Sequence, residues 1–157
     1  MLFYYTDSMR AAIIIGLWGF ITACVLACAF LLLRPSAAST LPVTLGDATI
    51  TVWLAKTPSE QAKGLGDTNQ LADGRGMLFV MPGASRWGFW MKDMRYGLDI
   101  VWLNAGKQVI YIAASIAPST YPKVFAPAMP ASYVIELPAG YAQKHGIVPG
   151  THANFNL

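Results

Sequence analysis

The chain has 157 residues, room for one domain of ordinary size and an appendage. Only 12% of them are charged, about half the usual ~25% of soluble proteins, and a net charge of +3 spread along the chain excludes the clustered basic face that nucleic-acid binding requires. Both cysteines, Cys24 and Cys28, lie near the N-terminus, which excludes a disulfide framework or a Cys-ligated metal centre in the remainder.

Residues 1–10 form a short tail, read as cytoplasmic, that carries Asp7 and Arg10. Residues 11–33, AAIIIGLWGFITACVLACAFLLL, contain no charge and have Thr22 as the sole hydroxyl. At ~1.5 Å per residue such a helix spans a hydrocarbon core of ~30 Å, so the segment reads as an uncleaved transmembrane signal anchor. A cleaved secretory signal would have a shorter apolar region, ~7–15 residues, and a small-x-small site; Ser36-Ala37-Ala38 after Pro35 is a poor one. Ile21-Thr22-Ala23-Cys24 resembles a lipidation box, but the residues after Cys24 stay apolar. Arg10 and Arg34 flank the run almost symmetrically, so charge leaves the orientation undecided. Gly19, Ala23 and Ala27 form a small-xxx-small row suited to packing against another membrane helix. Residues 34–42 read as a linker; eight flexible residues reach about 15 Å, which holds the following domain close to a bilayer surface.

Residues 43–157 read as a β-rich domain. VTLGDATITVWL alternates around Gly46-Asp47 as a hairpin does. Thr57-Pro58-Ser59-Glu60 is a capping box with Pro in the first turn, and Gly64 is the stop of a short helix. Strands are expected at 76–81, 88–91, 98–103, 108–113 and 131–137. An irregular loop carries Pro118, Pro122, Pro127 and Pro130. A one- or two-turn helix is expected at 138–145, ended by Gly146, and a closing edge strand at 151–156. About seven strands and one or two short helices predict a mainly β fold, a compact β-sandwich or flattened barrel.

Several spaced blocks within this domain carry a resemblance. They are Ala55-x-Thr57-x-x-Glu60-x-x-x-Gly64-Leu65, Gly76-Met77-Leu78-Phe79, Phe89-Trp90-Met91-Lys92, Leu98-Asp99-Ile100, Val109-Ile110 and Tyr133-Val134-Ile135-Glu136-Leu137-x-Ala139-Gly140. In this order they resemble the family known as domain of unknown function 192. The resemblance implies an exported or membrane-tethered protein with a jelly-roll-like sandwich, and brings no established substrate, cofactor or catalytic residue. The family usually continues Gly-Leu with Met and an Arg shortly after; this chain has Gly66 and Asp67-Thr68 there.

Among the residues able to carry chemistry, Glu60, Asp99 and Glu136 are the candidate catalytic carboxylates, since a suitably spaced pair serves glycoside hydrolysis. Each also has a structural reading. Glu60 sits at the third position of the capping box. Asp99, in an apolar strand, needs a partner such as Lys92 or backbone donors. Glu136 ends a strand where nearby N–H groups would stabilise its charge. His145 and His152 are too isolated for a ligand set, and no metal or cofactor is expected. The remaining constellation is Arg86, Trp87, Phe89, Trp90, Lys92 and Arg95, of which Arg86, Trp90, Lys92 and Arg95 are the ligand-binding candidates. Alternation puts Trp87, Phe89 and Met91 on one face and Trp90 with Lys92 on the other. An aromatic ring beside cations suits sugars, anionic headgroups or partner side chains.

The leading expectation is therefore a membrane-anchored, non-enzymatic binding or accessory module outside the cytoplasm, with Arg86, Trp90, Lys92 and Arg95 as its ligand surface. The alternatives are an envelope polysaccharide hydrolase using paired carboxylates and an assembly partner of another membrane protein.

Overall fold

The computed structural model describes Cys24, residues 39–66 and residues 68–157. The expected anchor at 11–33 lies outside the described residues apart from Cys24; among the described residues no helix is long and apolar enough to cross a membrane. The chain from Ser39 onward forms β1 (Thr40–Leu45), β2 (Ala48–Ala55), α1 (Pro58–Lys63), β3 (Arg75–Ser85), β4 (Leu98–Leu103), β5 (Val109–Ile116), β6 (Ala131–Pro138), α2 (Tyr141–Lys144) and β7 (Ala153–Asn154). Strand pairing thus starts at Thr40, inside the segment read as linker.

The strands make one seven-stranded sheet in the order β5-β4-β6-β3-β2-β1-β7. It is mainly β, as the strand count predicts, but it is a single curled sheet, a half-barrel, where a sandwich of two sheets was the other expectation. Curling brings its ends together. The Lys107 carbonyl accepts from Ala153 N–H at 2.9 Å, Val109 N–H donates to the Thr151 carbonyl at 2.9 Å, and Gly150 N–H donates to the Val109 carbonyl at 2.8 Å. The β2–β3 pair is parallel, unlike the antiparallel strands of a jelly roll. A parallel pair requires a long crossover, and α1 with the loop up to Gly74 supplies it.

Alternation along the central strands divides the core between the two faces of the sheet. Leu78, Val101, Leu103, Ile135 and Leu137 share one face with Tyr141, Ile147 and Phe155. Phe79, Ile100, Trp102 and Val134 share the other with Leu65, Met91 and Phe89. That second face is covered by irregular chain, not by another sheet. The expected strand at 88–91 is a single bridge, Phe89 to Phe125. Its alternation nevertheless holds: Met91 is buried and Trp90 and Lys92 are exposed. Trp102 Nε1 fixes the segment by donating to the Trp87 carbonyl at 2.8 Å, and the rings of Phe79 and Phe89 meet edge to face at 4.8 Å.

Candidate functional site

The two buried acids of the sheet are neighbours in register yet point in opposite directions. Asp99 pairs with Leu137 and Ile100 pairs with Glu136 across β4 and β6. Asp99 therefore shares the face of Leu137, and Glu136 shares the face of Ile100. The carboxyl pair that glycoside hydrolysis would need is not brought together.

Asp99 is fully buried. Its Oδ1 accepts from Ser115 N–H at 2.6 Å and Gly140 N–H at 3.0 Å, and its Oδ2 accepts from Ala142 N–H at 2.8 Å. Ser115 has a φ of +51° at an irregularity in the β4–β5 register, which leaves its N–H free for the acid. The other two donors come from the start of α2. Backbone groups thus hold Asp99; Lys92, the side-chain partner considered from sequence, lies elsewhere. Such a carboxylate, saturated by backbone donors and sealed from solvent, pins β4, β5 and α2 together.

Glu60 behaves as its capping-box position requires. Glu60 N–H donates to Thr57 Oγ1 at 3.3 Å, and Glu60 Oε2 accepts from the N–H groups of Thr57 and Lys56, both at 2.9 Å. Those donors hold its carboxyl below the ordinary carboxylate range. Its work is to start α1.

Glu136 differs from the sequence expectation. No backbone N–H reaches its Oε2, which is buried and without a hydrogen-bond partner. Desolvation pushes its pKa up to about 8, so the group is largely neutral at pH 7. Its cross-strand neighbours, Met77 and Ile100, give it no polar support. Gly64, with φ +51° and ψ −137°, lies over it: a Cβ there would sit 3.9 Å from Glu136 Oε2 and 3.6 Å from Phe79 Cζ. The left-handed backbone at Gly64 favours glycine and lets the chain after α1 fold over the acid.

Glu136 forms the floor of an open cleft of about 410 Å³ between α1 with its following loop and the segment 88–94. Phe79, Met81, Phe89, Met94 and Leu65 make the apolar walls, with Lys63, Lys92, Asp93 and Trp90 also in the lining. Trp90 is 49% exposed and meets Tyr121 ring to ring at 5.6 Å. An apolar concavity with a few convergent polar groups is the usual form of a small-ligand site.

The cleft brings together Trp90, Lys92 and Glu136 from the sequence-derived candidates. Arg86 and Arg95 are exposed and do not line it; Arg95 hydrogen-bonds Asn69. Sequence reasoning missed Phe79 and Gly64 as parts of the site; Phe89 belonged to the aromatic-basic constellation but not to its ligand-binding candidates. Gly64 carried a signal, a glycine directly after a capped helix, but it reads equally well as a helix stop. Among the described residues, no group of three or more His, Cys, Asp or Glu side chains could hold a metal ion.

No curated protein matches the chain. Solved structures similar to it include the following two. One is a protein from Sinorhizobium meliloti, provisionally described as a transcription regulator, with 27% identity, a TM-score of 0.73, and coverage of 77% of this chain and 97% of that one. The other is a protein of unknown function from Novosphingobium aromaticivorans, with 31% identity, a TM-score of 0.72, and coverage of 77% and 89% respectively. The family model for DUF192, described as "Uncharacterized ACR", matches residues 41–155. The chain therefore belongs to the DUF192 family, over the whole of the curled sheet that carries Glu136 and its cleft.

Proposed function

We propose that the protein is a membrane-anchored, non-enzymatic binding module facing the cell envelope, and that its ligand enters the cleft floored by Glu136 and rimmed by Trp90 and Lys92. The observation that carries this reading is the orphaned carboxyl: a buried polar atom without a partner is costly, and the residue that bears it lines an open concavity. A non-enzymatic role fits the opposed faces of Asp99 and Glu136, which keep the two buried acids of the sheet out of one site. Anchorage rests on the uncharged run 11–33 and the short tether after it.

The test is a photo-cross-linking amino acid placed at position 90 of the full chain in cells, with position 148 as the exposed control (Val148 is 56% exposed and does not line the cleft). The expected outcome is a discrete adduct at position 90 and none at 148, read by intact-protein mass. Absence of any adduct at 90 overturns the proposal. A protein-sized adduct at 90 assigns the same surface to a membrane-protein partner instead.

A further inference from the structure

The chemistry of the cleft restricts what fills it, on the reading that the cleft is a binding site. Its lining includes Glu136, whose Oε2 is buried and unpaired in a carboxyl that burial keeps protonated up to about pH 8. The titratable groups facing it are Lys63 from α1, Lys92 and Asp93 from the covering segment, and Tyr96. The Tyr96 hydroxyl, bonded to Thr68, is raised above its ordinary range first by burial and, to a smaller degree, by the charge of Glu136. The flanking strands contribute Met77 and Ile100, which carry no charge. With Glu136 neutral, Lys92 is the cation that the cleft offers to an anion. Lys92 is exposed and has no ion pair among the described residues.

Three ligand classes can be weighed against this arrangement. A fatty acyl chain matches the apolar walls but leaves the Glu136 carboxyl and Lys92 without a partner. An alkylammonium would have to enter past Lys92 and displace the proton from Glu136. An organic anion with a neutral oxygen at its far end meets both ends of the cleft. The neutral carboxyl donates to that oxygen, and the anionic group remains at the rim by Lys92. The cleft's ~410 Å³ lies toward the lower end of the ~300–1,000 Å³ range of small-ligand sites, and the exposed face of Trp90 suits a sugar ring.

We infer that the cleft takes a monosaccharide-sized organic anion, a sugar acid or acylamino-sugar acid, whose carbonyl or hydroxyl oxygen accepts a hydrogen bond from the Glu136 carboxyl while its anionic group meets Lys92. Binding is then favoured with Glu136 protonated and weakens as the group ionises.

Calorimetric titration of the full chain in detergent, with three probes at pH 6.5 and pH 9, tests this. The probes are N-acetylmuramic acid, N-acetylglucosamine, which lacks the carboxylate, and hexylamine. N-acetylmuramic acid is expected to bind best at pH 6.5. Its affinity should fall about tenfold at pH 9, since roughly a tenth of a group with a pKa near 8 is then still protonated. Glu136→Gln, whose amide still donates, should bind at both pH values and lose most of this dependence. Lys92→Ala should weaken N-acetylmuramic acid alone. Preference for hexylamine, binding that strengthens with pH, or equal affinity for the two sugars overturns the inference. If none of the three binds but position 90 cross-links, the ligand class is wrong and the binding module stands; if cross-linking fails too, both are wrong.

Discussion

Two carboxyls one register step apart meet opposite fates. Asp99 is saturated by N–H groups from Ser115, Gly140 and Ala142, whereas Glu136 is buried without such donors, and its pKa rises from 4.5 to about 8. This second fate sets a pH dependence of stability. Below pH 4.5 the acid is protonated folded and unfolded, so its effect on the equilibrium is absent. Between 4.5 and about 8 the unfolded chain releases the proton and the folded one keeps it, so stability falls by up to about 1.4 kcal/mol per pH unit from this group. Urea unfolding of Glu136→Gln should therefore show a flatter pH profile from 5 to 8, and higher stability than the parent at pH 8. A parallel profile in the two proteins would mean that Glu136 has found a partner for its charge. The burial of Asp99 was readable in its sequence neighbours, Leu98 and Ile100–Leu103. The isolation of Glu136 was not, because its cover comes from Gly64 and Phe89, which reach it only through the fold.

At the scale of elements, the roof of the cleft depends on a helix of six residues, Pro58–Lys63, with no buried residue of its own. Such a helix is not stable by propensity. It is held by its capping box and by Gln61, whose Nε2 donates to the Val80 carbonyl at 2.8 Å. Thr57→Ala removes the cap and should lower stability by about 1 kcal/mol, with the loss concentrated locally. Hydrogen exchange should then speed up at residues 60–64 while β4 and β6 keep their protection; uniform acceleration would show instead that the helix unfolds only with the whole sheet. The capping box was legible because it is a four-residue pattern with a local mechanism. The segment 88–91 was legible by halves. Its alternation correctly separated Met91 from Trp90 and Lys92, but periodicity does not say whether an extended segment has a ladder partner, and here it has one bridge.

For the whole molecule, the strand count and mainly β character were evident from turn spacing, and the topology was not. A sandwich and a curled sheet require the same alternating strands, and which one forms depends on what covers each face. Here one face is covered by α2 and the C-terminal residues, the other by irregular chain. The parallel β2–β3 pair was hidden likewise, since the capped helix between those strands reads the same in either orientation. The curl also governs when the fold can be completed. β1, the first strand, lies beside β7, the last, and residues 150–153 bind both Gly46 on the β1 side and Lys107 and Val109 on the β5 side. Deleting residues 150–157 should expose both sheet edges, which are templates for pairing with other chains, and light scattering after gel filtration should show oligomers where the intact chain is smaller. A monodisperse, unchanged species would remove the staple from the account. A chain built this way emerges from the ribosome with its seam open and cannot shut it until residues 150–153 have followed β1 to β6 out. The domain is thus most open to mispairing until residues 150–153 have emerged, and that interval lasts through the synthesis of everything between β1 and them.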